Sequence, residues 1–200
     1  MSEVLTRIDD IRGEPARHRS LAELEAGLRA LPLAPKDSGQ VALIVRRTGE
    51  NAREILPQVQ LSPDEGLPGD KWRTRPAPNP EAQLAVMRRE VAELIANGQP
   101  LALFGDNLFV DLDISAANLP AGSRLRVGGA VVEVTPLPHD GCGKFNARFG
   151  NDALRFVNVR PTRNQNLRGI YWRIIEAGEI KVGSTIEVLS RPTTGAGSQV

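Results

Sequence analysis

Short apolar segments separated by glycine are the feature of this sequence that most limits its fold. Residues 124–127 and 130–135 alternate or cluster β-branched side chains and flank Gly128-Gly129, a dipeptide that favours a two-residue hairpin turn. Within residues 170–182, two further apolar runs flank Ala177-Gly178 and predict a second hairpin. Many short strands joined by such turns predict a β-barrel or a β-sandwich.

A helix precedes this β-rich region. Ser20 and Glu23 have the spacing of a capping box, and leucines then recur at helical spacing until Pro32 interrupts the pattern. We therefore expect residues 1–36 to form an N-terminal helical arm that lies on the main body of the protein.

The remaining segments predict further strands, one long loop and a second helix. Strands are expected at residues 41–45, 55–61, 108–112 and 184–189. Residues 62–80 are rich in proline, glycine and charge and predict a long loop. A helical pattern follows the apolar run 84–87 and ends at Asn97-Gly98. The polar segment 191–200 is predicted to be a disordered tail.

Charge and cysteine content narrow the functional classes. The 25 Lys and Arg residues balance the 24 Asp and Glu residues, and aromatic residues are 4% of the chain, so we expect no nucleic-acid and no membrane partner. One cysteine excludes an intramolecular disulfide or a four-cysteine metal site within the chain. The N-terminal residues lack the apolar core of a signal peptide, and no run is long enough to span a membrane, so we expect a cytoplasmic protein.

The single cysteine lies between two glycines, in Gly141-Cys142-Gly143. Structural cysteines usually lie in apolar segments, whereas these neighbours leave the sulfur accessible. His139 and Lys144 are close in sequence and could lower the pKa of the thiol, which favours the thiolate that binds soft metals and attacks electrophiles. The residues alone leave two alternatives, a functional thiolate or a free thiol without a role. His139 is expected to be an ordinary polar loop residue, with a proton donor as the alternative.

Several segments occur in an order that resembles one family. They are Gly66-Leu67-Pro68-Gly69-Asp70-Lys71-Trp72, Phe104-Gly105-Asp106-Asn107-Leu108, residues 122–128, Cys142 after a strand, and Arg168-Gly169-Ile170 followed by a closing strand pair. The series resembles the MOSC domain, named for the C-terminal part of molybdenum cofactor sulfurases, over residues 37–190. No single motif is specific for the family, but the ordered set of motifs together with the cysteine is much stronger evidence for it.

The resemblance implies a fold that is mainly β with peripheral helices, an MOSC-type, PK-like β-barrel. It also implies a cleft for a molybdenum–pterin cofactor, with Cys142 as the metal ligand. Lys71, Asn107 and Arg168 are then candidate contacts to the cofactor. For Lys71 and Arg168 the alternative is a solvated charge, and for Asn107 it is a residue that forms a turn. Asp70 is expected to organise its loop by accepting backbone N–H bonds.

Two functions follow from the resemblance. The first is a reductase of N-hydroxylated small molecules, which would take electrons from a separate protein because the chain lacks cluster cysteines and a flavin motif. The alternative is a carrier that holds sulfur as a Cys142 persulfide, or holds the cofactor, for a transfer partner. A redox-inert descendant of the fold is a third possibility. Many family members have proline before the cysteine, so Gly141 predicts a looser backbone at this point.

Overall fold

The computed structural model describes residues 4–49 and 51–192. Its strands are β1 Thr6–Ile8, β2 Ser38–Arg47, β3 Arg53–Leu56, β4 Gln58–Leu61, β5 Leu84–Arg88, β6 Leu108–Asp111, β7 Arg124–Val127, β8 Ala130–Val134, β9 Ile170–Glu176, β10 Gly178–Lys181 and β11 Thr185–Ser190. The α-helices are α1 Leu21–Ala30, α2 Arg89–Ala96, α3 Gly143–Phe149 and α4 Asn151–Asn158. Short 3-10 helices occupy Pro15–Arg17, Pro80–Ala82, Leu101–Phe104 and Arg160–Gln165.

Seven of the strands close into a barrel. Their order around the ring is β2, β11, β7, β8, β9, β5 and β6, and β6 pairs back with β2. Neighbours are antiparallel except for β5 and β6, which are parallel. β3 and β1 extend the sheet outward from β2, and β4 forms a separate two-stranded sheet with β10. The structure confirms the expectation of a mainly β barrel with peripheral helices.

The two hairpin predictions have different outcomes. Gly128-Gly129 joins the antiparallel strands β7 and β8, as its sequence predicts. The second hairpin is wrong, because β10 pairs with β4 rather than with β9. The single strand expected over residues 55–61 is also interrupted. It divides at Pro57 into β3 and β4, since proline lacks the N–H that a continuous ladder requires.

Alternate side chains of the barrel strands enter two separate apolar clusters. Ile44, Val86 and Leu108 belong to the cluster that fills the barrel. Their immediate neighbours Val45, Met87 and Phe109 point to the other face and pack beneath the helices. This period-2 alternation explains how one side of the barrel carries a helical layer, since each strand there is apolar on both faces.

The N-terminal arm contains the predicted helix and also a strand. Ser20 and Glu23 form the expected capping box at the start of α1. β1 adds to the edge of β3, which the sequence did not indicate. At the other end of the chain, Arg191 donates to the backbone oxygen of Asn118 at 2.7 Å, and residues 193–200 of the expected tail lie outside the described residues. Over the part of the chain that is described, no helix has the length and apolarity needed to cross a membrane.

Candidate functional site

Cys142 is exposed at the start of α3, a helix that the sequence analysis did not predict. Its backbone is extended, and its carbonyl oxygen accepts the first helical hydrogen bond, from Asn146 N at 3.0 Å. Phe145 and Phe149 fix the helix to the helical layer, with the Phe149 ring stacked on Phe104 at 4.1 Å. The packing of Phe145 and Phe149 therefore fixes the position of α3 and of the Cys142 thiol at its start.

The thiol of Cys142 has a lowered pKa, as expected, but from causes other than those expected. Partial burial is the largest single influence and raises the pKa of Cys142, whereas hydrogen bonds from the backbone N–H groups of Phe145 and Lys144 lower it. The positive charges of Arg168 and Arg148 add to the lowering. The thiolate therefore depends on helix backbone and distant guanidinium groups, rather than on the side chains of His139 and Lys144.

Arg168 lies beneath the thiol-bearing helix in a buried ion pair. Its guanidinium donates to Asp106 Oδ2 at 2.7 Å and lies 5.3 Å from the centre of the Phe145 ring. Asp106 is fully buried and Arg168 is 7% exposed, so the expected alternative of a solvated charge is wrong for Arg168. Arg168 Nε has no hydrogen-bond partner, which leaves a buried donor available.

His139 is buried beside the same carboxylate, so the interpretation of an ordinary polar loop residue is wrong. Its Nδ1 lies 3.6 Å from Asp106 Oδ1, and its ring lies 4.3 Å from the Tyr171 ring. Burial lowers the pKa of His139 well below its ordinary value, and the charges of Arg168 and Arg47 lower it further. The imidazole is therefore neutral at neutral pH. Burial raises the pKa of Asp106, while Arg168 and Arg47 oppose the rise.

Asp70 organises the neighbouring loop, as the sequence predicts. Its carboxylate accepts from Trp72 N at 2.8 Å and from Arg47 N at 2.9 Å, and it pairs with the Arg47 guanidinium at 2.5 Å. Asn107 is fully buried in the same network, and its Nδ2 donates to Asp70 Oδ2 at 3.0 Å. Asn107 also accepts from Ala85 N at 3.1 Å. The Asn107 amide thus connects strand β5, through Ala85, to the loop that contains Asp70.

The structure brings only some of the sequence-predicted site residues together. The charge of Arg168 acts on Cys142, and Asn107 follows the Asp106 that holds Arg168. Lys71 has an exposed side chain, and its backbone N–H donates to Arg47 O at 2.8 Å. No contact among the described residues joins Lys71 to Cys142. Sequence reasoning missed Arg47 and Arg148, because arginines far apart in sequence give no local signal of a shared site.

Gly141 is held by the side chain of Asn158. Gly141 N donates to Asn158 Oδ1 at 2.8 Å, and Asn158 Nδ2 donates to Gly141 O at 3.2 Å. A Cβ at position 141 would lie 2.8 Å from Leu154 Cδ1 and 3.0 Å from Val157 Cγ2. The expected looseness at Gly141 is therefore wrong, because the two hydrogen bonds restrain the residue that precedes Cys142.

Comparison with protein families identifies one domain. A family model described as the MOSC domain matches residues 69–187. The uncharacterized protein YflK of Bacillus subtilis (strain 168) is 32% identical over 98 residues, which cover 49% of this chain and 42% of YflK. The matched region of this chain thus spans less than half the length of that curated relative.

Solved structures share the architecture at low sequence identity. YiiM from Escherichia coli superposes with a TM-score of 0.52 and 23% identity, covering 77% of this chain and 71% of YiiM. The YuaD protein from Bacillus subtilis superposes with a TM-score of 0.55 and 16% identity, covering 78% of this chain and 98% of YuaD. At these identities the similarity shows the fold alone.

Proposed function

The chain belongs to the MOSC domain family, and on that premise we propose that it binds a molybdenum–pterin cofactor through Cys142 and reduces N-hydroxylated small molecules. The observation that carries the proposal is the position of Cys142, exposed on α3 and within the field of the buried Arg168 and Arg148. A negatively charged thiolate and a negatively charged cofactor both require this kind of positive surrounding.

The residues around Cys142 fit such a group. A thiolate is a soft donor and suits a molybdenum centre, and the one-cysteine site needs no second protein ligand if the pterin supplies the others. In the described part of the chain, no cluster of three or more His, Cys, Asp or Glu side chains could hold a metal ion independently. Arg168 Nε is a buried donor without a partner. Of the candidate contacts, Arg168 is the strongest, Lys71 remains a proposal, and the Asn107 amide is already engaged by protein groups.

The proposed reaction cleaves an N–O bond. The substrate R–NHOH takes up two electrons and two protons and yields R–NH₂ and water, with the electrons supplied by a separate donor protein. When bound, the cofactor supplies two-electron redox chemistry and an acceptor for oxygen. The protein supplies the thiolate of Cys142 and holds its charge through the N–H groups of Phe145 and Lys144. The two protons come from solvent at the exposed site.

Reductase activity tests this proposal. The full chain, purified from cells that make the cofactor, is mixed with a reduced viologen dye and an aromatic hydroxylamine, and formation of the amine is measured. We expect turnover by the wild type and its loss in Cys142→Ser, with Lys181→Gln as an exposed control. Molybdenum-loaded protein that forms no amine from any N-hydroxylated compound would contradict the reductase assignment.

A carrier function is the second candidate, and the open surroundings of the thiol favour it. Cys142 is exposed, and a Cβ at Gly143 would meet no atom within 4 Å apart from its chain neighbours and its own helix backbone, which leaves room for a partner protein. In this function Cys142 would hold one sulfane sulfur as a persulfide and release it to an acceptor thiol. Intact mass spectrometry would then show the added mass of one sulfur atom, removed by dithiothreitol and absent in Cys142→Ser.

A further inference from the structure

Two buried arginines have no ion pair with a carboxylate among the described residues, and one of them, Arg148, acts on Cys142. Arg53 is 7% exposed, and Arg148 is 8% exposed. Arg53 donates to two backbone carbonyl oxygens at 2.9 and 3.0 Å. Arg148 likewise donates to Ile11 O at 3.0 Å and to Leu103 O at 2.8 Å. Carbonyl dipoles satisfy hydrogen bonds but carry no net charge, so neither guanidinium forms a direct ion pair within the described residues. Asp70 and Asp106 act on Arg53, and Cys142 acts on Arg148, without such an ion pair.

The positive charge of Arg148 acts on Arg53. Burial, together with the positive charges of Arg148 and Arg47, lowers the pKa of Arg53 to about 10. Arg53 Nε is also buried without a hydrogen-bond partner. Asp70 forms a direct ion pair with Arg47, and Asp106 forms one with Arg168, whereas Arg53 and Arg148 have none in the described part of the chain. An anion would relieve this like-charge pair.

A cavity lies beside Arg148. It has a volume of about 290 Å³, and its polar lining comes from Arg12, Asn51, Lys144 and Arg148. Asp10 already neutralises Arg12, at 2.7 Å. Lys144 has no ion pair among the described residues. The backbone oxygen of Asn51 accepts from Arg53 at 2.9 Å, which places Arg53 directly behind the cavity wall.

We propose that this cavity binds a phosphate monoester, with Lys144 and Arg148 at the anion and Arg53 supplying charge from behind. A phosphate monoester carries close to two negative charges at neutral pH and accepts several charge-assisted hydrogen bonds, which matches the excess of positive charge. The identity of the ester rests on the proposed function, because the pterin cofactor proposed there carries a phosphate monoester. Free phosphate has the same chemistry and is the other source.

Binding of inorganic phosphate tests the site without requiring any activity. The full chain, purified from cells that cannot make the cofactor, is titrated with phosphate by calorimetry. We expect saturable binding of one phosphate, weakened about tenfold by Lys144→Gln, since one charge-assisted contact is worth about 1.4 kcal/mol. Lys181→Gln, which removes an exposed lysine from β10, should leave the affinity unchanged. Absence of saturable binding, or equal affinities in wild type and Lys144→Gln, would overturn the proposal.

Two further measurements separate this inference from the proposed function. Arg53→Gln should also weaken phosphate binding. If circular dichroism shows that this variant is unfolded, the Lys144→Gln result alone decides. Cofactor-loaded protein should no longer bind added phosphate, whereas continued binding would identify free phosphate as the ligand and overturn the ester. Phosphate binding by a protein that never retains molybdenum would support the anion site and contradict the cofactor proposal.

Discussion

The side-chain amide of Asn158 brackets Gly141, accepting from its N–H at 2.8 Å and donating to its C=O at 3.2 Å. Because Gly141 immediately precedes Cys142, this pair connects the end of α4 to the start of α3. Proline at position 141 would lack the N–H that Asn158 binds. The chain therefore restrains this position with two hydrogen bonds rather than with a proline ring.

Removal of the Asn158 amide should make the thiol less reactive. In Asn158→Ala, Gly141 is released, and Cys142 loses part of its contact with the N–H groups of Phe145 and Lys144. One net hydrogen bond is worth about 1 kcal/mol, so the rate of alkylation by iodoacetamide at neutral pH should fall about fivefold. Asn151→Ala, in an exposed position of the same helix, is the control. Identical alkylation rates in both variants would show that Asn158 does not position the thiol.

The two glycines that flank Cys142 should respond oppositely to alanine. A Cβ at Gly141 would lie 2.8 Å from Leu154 Cδ1, so Gly141→Ala should lower the free energy of unfolding by about 1–3 kcal/mol. Gly143 has open space around it and is the first residue of α3, so Gly143→Ala should be neutral or stabilising by up to about 1 kcal/mol. Urea denaturation of both variants measures the difference. Leu154→Ala should partly restore the stability of Gly141→Ala, and failure to do so would contradict the steric explanation.

The alkylation rate of Cys142 should follow a pH profile with its midpoint below that of an ordinary thiol. The lowered pKa comes from backbone N–H groups and from Arg168 and Arg148, after partial burial has raised it. Lys144→Gln keeps the backbone N–H, so the midpoint should stay close to that of the wild type. A large upward shift in this variant would instead assign the effect to the lysine side chain.

Removal of the buried Asp70 carboxylate should destabilise the barrel. Asp70 is 1% exposed and accepts hydrogen bonds from Arg47, Trp72 and Asn107. Asp70→Asn should therefore lower the free energy of unfolding by about 3–5 kcal/mol, because it leaves the Arg47 guanidinium unpaired. The exposed pair between Arg163 and Asp140, at 3.2 Å, provides the control. Asp140→Asn should cost less than about 1 kcal/mol. Equal losses of stability in the two variants would contradict the account of the network.

The loss of stability at acid pH should also depend on Asp70. Burial raises the pKa of Asp70, but Arg47 and the N–H groups of Trp72 and Arg47 hold it below its usual value. A carboxylate with a depressed folded-state pKa contributes stability above its unfolded pKa, about 3.9, and loses it as the pH falls through the folded value. Between about pH 5 and pH 2, wild-type stability should therefore fall more steeply than that of Asp70→Asn. Parallel curves would exclude this contribution.

Local sequence patterns correctly predicted the helix start and the tight turn, because residues close in sequence form both. The capping box at Ser20 and the turn at Gly128-Gly129 are satisfied by residues a few positions away, and the structure confirms both. The pairing of β10 with β4 joins segments more than 100 residues apart, which no turn signal reports. Helix α3 was missed because Gly143 disfavours helices, although Phe145 and Phe149 recur at helical spacing.

The candidate site was predictable only at its centre. The ordered motifs predicted Cys142 and Arg168 as site residues. They did not predict the position of the Arg168 charge, which depends on Asp106 62 residues earlier in the chain. Arg53 and Arg148 carry no motif and became visible only through burial without a carboxylate. Charges that act at a distance leave little trace in a single sequence, because their partners are assembled by tertiary packing.

Molybdenum content is the most direct test of the account. Wild-type protein and Cys142→Ser are purified from cells that make the cofactor, and molybdenum is measured by elemental analysis together with the protein concentration. The account predicts nearly one molybdenum per chain in the wild type and a loss of most of it in Cys142→Ser. Absence of molybdenum from the wild type, or equal amounts in both proteins, would contradict Cys142 as the ligand.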